Sequence, residues 1–271
     1  MTAESLRARG TLFSALGAVF VSYMLVYGVV AAESLWSTRE PSSPQWTWQG
    51  FRLSLALNIA GLLIAAIGVV LAGGGAAVKE WLVGRATPTQ SGADLLSFSI
   101  PMLAHYFGLF LVALLVVEPS SRDATLDIPR FVSSVVRGPL EELLVVAAPI
   151  VVIRRLRPAW LRGSWTSPRL LLVVLVLAAA RMFFHLYQGW SSLQHISWAI
   201  AAAAVYVAFG RVWALMLLHA IWNVIAALWA VDTSAAAEVS FGLLMIVTVG
   251  SAVALVVGLR RAKRGPRPVP R

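Results

Sequence analysis

The chain has 271 residues, 59% of them hydrophobic and only 13% charged, with a formal net charge of +10 and no cysteine. A mean hydropathy of +0.80 lies far outside the range of soluble globular domains and describes a polytopic membrane protein; the missing thiols exclude disulfides, thiolate zinc sites and a cysteine nucleophile. The basic excess then reads as cytoplasmic loops facing anionic lipid headgroups, and not as a nucleic-acid footprint, which would need a soluble domain to display it.

A helix crosses the hydrocarbon with ~20 mostly apolar residues. On that criterion the sequence predicts an all-α fold of about eight transmembrane helices, at 11–32, 52–74, 96–117, 136–153, 169–189, 193–209, 211–231 and 241–259. The expected organisation is a single transmembrane domain over 1–271, ending in a basic, disordered tail at about 260–271. The first span also has the pattern of a signal peptide, with Arg7 and Arg9 ahead of it and a cleavage point after Ala32. Arg7, Arg9, Lys79, Arg85, the arginines of 154–169, Arg211 and the tail fall on one side of these spans; Arg39, Arg52, Arg122, Arg130 and Arg137 fall on the other, together with Glu33, Glu40, Glu118, Asp123, Asp127, Asp232 and Glu238. That asymmetry predicts both termini in the cytoplasm. Arginine supplies nearly all the positive charge, with lysine only at Lys79 and Lys263; this usage points to a high-GC prokaryotic source, hence a prokaryotic plasma membrane.

Ionisable residues inside spans cost several kcal/mol each on insertion scales, so each asks for a reason. In the third span His105 reads as a hydrogen-bonded structural residue. GPLEELLVVAAPIVVIRR in the fourth carries Glu141 and Glu142. Taken alone, Pro139 could open that helix and leave both carboxylates in its first turn, where the helix dipole stabilises them. LAAARMFFHLYQGW in the fifth places Arg181 and His185 four residues apart, on one face. His195 enters the sixth span near the interface. MLLHAIWNV in the seventh sets His219 and Asn223 one turn apart, as polar glue between helices or as part of a site. Comparing depths along alternating helices brings the glutamates, Arg181, His185, His219 and Asn223 together in the outer half of the membrane, a set of groups with hydrolytic composition.

An EE pair in one span, a histidine near the end of the next and HxxxN two spans later resemble the CAAX protease and bacteriocin-processing (CPBP, or Abi) family of intramembrane proteases, over about residues 136–225. The resemblance implies a catalytic core there, an active-site cavity inside the bundle, and an endopeptidase acting on a membrane-associated protein or peptide. It also implies that Glu141 activates water beside His185, while His219 and Asn223 hold the oxyanion. The sequence departs from the family at two places. EExxxR would put arginine at position 146, where Val146 stands, and FxxxH would put phenylalanine at position 181, where Arg181 stands. Because the fourth and fifth helices run antiparallel, Arg181 is expected to replace the missing arginine and pair with Glu142. Glu141, His185 and His219 could instead hold zinc with an open position for water; the absence of HExxH favours a glutamic mechanism without a cofactor. Two other classes remain open: a non-catalytic scaffold or chaperone of the same fold, and a proton-coupled transporter.

Overall fold

The computed structural model describes residues 3–28, 48–84, 128–161, 167–183, 185, 194–231 and 238. Among them every regular element is helical: α1 (Ala3–Tyr23) with a π-helical extension (Met24–Gly28), α2 (Trp48–Val83), α3 (Ile128–Glu141), a π-helical turn (Glu142–Ala147), α4 (Ala148–Leu156), a 3-10 turn (Pro158–Trp160), α5 (Pro168–Phe183), α6 (Gln194–Phe209) and α7 (Val212–Val231). The chain divides into two units, Met1–Arg85 with Thr125–Ala227 and Ala86–Ala124 with Leu228–Arg271. The side chains discussed below belong to the first.

Two of these helices, Gly10–Gly28 and Trp48–Val83, are long and apolar enough to cross a membrane, and Trp198–Val207 and Leu215–Val224 are shorter apolar stretches. Six of the eight expected segments are thus helical. Those at 96–117, with His105, and at 241–259 lie outside the described residues.

Small residues bring α1 and α2 together. Gly68 lies directly on the Ala15 carbonyl, with Ala18 and Val19 alongside, and Gly61 lies on Val26 and the Ser22 carbonyl. Backbones approach this closely only where no side chain intervenes, which is how helices associate where lipid removes the hydrophobic drive between them. Phe13, Phe20, Leu53, Leu63 and Ile67 remain exposed on the same two helices, the surface that hydrocarbon would cover.

Near its end α2 kinks. Gly74 adopts φ +60° and ψ −150°, a conformation open essentially to glycine alone. The turns beyond it carry Glu80 and Trp81. Trp81 Nε1 donates to the Leu143 carbonyl at 2.9 Å. The Glu80 carboxylate takes Arg154 Nη1 on one oxygen and Arg155 Nη2 on the other, each at 2.7 Å. Arg154 also donates to the Tyr206 and Val207 carbonyls near the end of α6, where a cation complements the helix dipole. One carboxylate therefore ties the ends of α2, α4 and α6 together. Glu80→Gln is expected to cost about 1–3 kcal/mol, since both arginines lose a charged acceptor; thermal unfolding in detergent checks this, and an unchanged Tm would deny the cluster a stabilising role.

From 128 to 156 the chain runs as one helix through α3, the π-helical turn and α4. Proline explains the change of winding. Pro149 has no N–H, and its ring would strike the carbonyl of Val145 four residues back; the helix widens just before it, and the Ala148 N–H reaches back five residues to the Leu143 oxygen. This removes one alternative. Because α3 begins at Ile128, Pro139 lies inside the helix, and Glu141 and Glu142 sit in mid-helix rather than in a first turn. The helix dipole does not account for them.

Candidate active site

Glu142 is completely buried, and a single one of its oxygens, Oε1, collects three donors. Arg181 Nη2 from α5 lies at 2.7 Å, His219 Nδ1 from α7 at 2.8 Å, and Trp198 Nε1 from α6 at 3.1 Å. Three helices thus converge on one carboxylate, the contact expected between Arg181 and Glu142 among them. Arg181 is itself 1% exposed, with its guanidinium carbon 5.8 Å from the Trp198 ring centre. The Trp198 ring meets the His219 imidazole edge to face at 5.8 Å.

Hydrogen positions follow from what each atom can do. Arg181 Nη2 also lies 3.1 Å from His219 Nδ1, but guanidinium nitrogens only donate and a carboxylate only accepts. The shorter, charge-assisted contact therefore decides, and His219 Nδ1–H donates to Glu142. Nδ1 so occupied leaves Nε2 as the reactive nitrogen, the orientation a carboxylate imposes on a catalytic histidine.

Glu141 is differently placed. Its Oε2 is 3.4 Å from Arg181 Nη2, too long for a strong ion pair, and its side chain keeps 11% of its surface where that of Glu142 keeps none. His185 stands just beyond the end of α5 and not within it: its N–H donates to the Met182 carbonyl at 2.9 Å. Its Nδ1 lies 2.9 Å from the Arg181 carbonyl, which can only accept, so Nδ1 carries the proton and Nε2 the lone pair. The four-residue spacing expected to put Arg181 and His185 on one helical face serves instead to cap the helix end. Asn223 Nδ2 donates to the Ser134 carbonyl of α3 at 2.7 Å, which leaves its second amide proton for other partners.

Four participants escaped the sequence reading. Trp198 lies one turn into α6, close enough to the start of the span that position alone does not set it apart from interfacial tryptophans. Tyr23 and Tyr27 from α1 and its extension are buried, with ring centres 5.3 Å apart, and both lie within electrostatic reach of Glu141 and Arg181. Gly138 touches the site through its backbone. Val146, where the family pattern has arginine, is buried at 1% exposure one turn along from Glu142, and the guanidinium arrives from α5 instead. The side chain of His195, in α6, lies outside the described residues.

Among the described residues no three His, Asp or Glu side chains are disposed to share a metal ion. His219 Nδ1 donates to Glu142 and His185 Nδ1 to a carbonyl, which leaves Nε2 of each imidazole as the nitrogen a metal would take if Glu141, His185 and His219 were to hold one.

Comparison with known proteins adds one finding. Residues 126–225 match the family model described as Type II CAAX prenyl endopeptidase Rce1-like. No curated protein matches the chain, and no solved structure does. The matched segment runs from the start of α3 to the HxxxN of α7, and so contains Glu141, Glu142, Arg181, His185, Trp198, His219 and Asn223, but not Tyr23 and Tyr27. Over residues 126–225 the chain is therefore similar to the Rce1-like CAAX prenyl endopeptidases, the family that its motifs resemble.

Proposed function

We propose that this protein is an integral-membrane endopeptidase that cleaves a membrane-associated protein or peptide by a glutamic mechanism, within a bundle of about eight transmembrane helices. The observation that carries the reading is the division between adjacent carboxylates: Glu142 is buried and held by three donors, while Glu141 is loosely held and partly open. Paired titratable groups whose environments diverge take different roles. Glu141 takes a proton from water as the water oxygen attacks the scissile carbonyl, with His185 beside it. The oxyanion accepts from the second Asn223 amide proton and from His219 Nε2–H, whose imidazolium is stabilised by Glu142. As the C–N bond breaks, Glu141 returns its proton to the leaving amine. Glu142, Arg181 and Trp198 hold His219 in place. No step needs a metal ion, and 1,10-phenanthroline is expected to leave cleavage unchanged; inhibition reversed by added zinc would replace the glutamic route with a metal-dependent one.

The substrate side follows from the family: a protein or peptide already held at the membrane. The arginines of 154–169 and Arg211 are assigned to the cytoplasmic face, with both termini on that side; Arg154 and Arg155 are taken up by Glu80, and the others are assigned to anionic lipid. The decisive experiment compares new protein N-termini in membranes of cells carrying wild type or Glu141→Gln at matched expression. Termini present only with wild type identify the substrate and the cut. Identical profiles, with the variant still rescuing a deletion phenotype, would overturn the protease reading in favour of a scaffold.

A further inference from the structure

Gly138 stands inside α3, where glycine is among the poorest helix formers, one residue before Pro139 and three before Glu141. Its surroundings supply a reason. A Cβ built at position 138 would overlap the Asn223 amide nitrogen and lie 2.8 Å from both Nε2 and Cδ2 of His219, closer than real side chains approach. One turn earlier on the same face, the Ser134 carbonyl accepts the Asn223 amide. Two pairs spaced by four residues therefore face one another, 134 and 138 on α3 against 219 and 223 on α7. Residues 138, 141 and 142 also share a face at helical spacing.

We infer that Gly138 is a positioning residue: its bare Cα is the seat against which His219 and Asn223 rest, and it fixes these two groups one turn along α3 from Glu141. Any side chain at 138 displaces the imidazole edge and the carboxamide away from the carboxylate, while the helix itself would be better formed. The inference rests on the proposed catalytic roles of His219 and Asn223.

The test uses full-length protein in its membranes and follows cleavage of the substrate whose new N-terminus vanishes in Glu141→Gln. Gly138→Ala is expected to accumulate normally, to lose kcat by on the order of a hundredfold, the loss typical of one misplaced oxyanion donor, and to keep KM within about twofold. In Gly138→Ala/Asn223→Ala the loss is expected to fall well short of the product of the two single losses, because the seat acts in part through the carboxamide that rests on it. Wild-type kcat in Gly138→Ala, or losses that multiply in the double variant, would overturn the inference and leave the protease reading standing; activity retained in Glu141→Gln would overturn that reading itself. Should Gly138→Ala fail to accumulate, Gly138→Ala/His219→Ala/Asn223→Ala removes the overlap and is expected to restore its level, and failure to do so rejects the seat.

Discussion

Glu141→Gln is expected to abolish cleavage in a protein that folds and accumulates like wild type, and Glu142→Gln to do the reverse, lowering stability first. A general base contributes about 10²–10⁴-fold to rate, and an amide isostere of Glu141 keeps the shape while removing the basicity. Among the described residues, the contact it weakens is the 3.4 Å approach of Arg181 Nη2. Glu142 is the opposite case. Its Oε1 neutralises Arg181 and anchors His219 and Trp198 with no solvent access, so the neutral amide leaves a buried guanidinium short of its counter-ion. Breaking a buried pair in this way typically costs about 3–5 kcal/mol, on the order of 10 °C in Tm for a chain of this size. Thermal unfolding in detergent and cleavage in membranes separate the two effects. Equal stability with equal loss of activity in both variants would dissolve the proposed division between the carboxylates.

The second large effect belongs to Arg181. Arg181→Ala strips Glu142 of its shortest ion pair and leaves two carboxylates side by side on the same helix. The expected result is a loss of about 3–5 kcal/mol in stability, with cleavage lost alongside as His219 loses its fixed acceptor. Val146→Arg in that background is expected to restore part of both. Position 146 lies one turn from Glu142 on the same helix, and the volume vacated by Arg181 is what a guanidinium from 146 would fill; Val146→Arg alone should destabilise, because that site is already closed at 1% exposure. Wild-type behaviour of Arg181→Ala in both assays would remove Arg181 from the account.

Much of this was legible in the chain. Apart from the first turns of α3, which the segment expected at 136–153 did not include, the described helices fall on runs of apolar residues, and the short set of polar residues inside those runs drew attention to Glu141, Glu142, Arg181, His185, His219 and Asn223 because lipid tolerates such groups only in company. The antiparallel course of neighbouring helices also foretold which acid Arg181 reaches. Position within the helices was less legible. Pro139 looked like a helix start because proline favours the first turn, yet α3 runs through it. His185 looked helical from its spacing, yet it caps α5 from outside. In both places a local rule admits two outcomes and packing selects one.

What the amino-acid sequence determined by itself was the membrane class, the helical segments and the identity of the polar residues, since hydropathy and periodicity are properties of consecutive residues. Only the tertiary structure decided how differently the two glutamates are buried and held. The donors that bury Glu142 come from 39, 56 and 77 residues along the chain, and no local pattern distinguishes position 141 from 142. The same holds for Glu80, which collects arginines 74 and 75 residues away, and for Gly138, whose missing side chain acquires meaning only when α7 is laid against it. Such roles depend on convergence in space, where low dielectric and exclusion of water make one oxygen's partners count, and that convergence exists only in the folded chain.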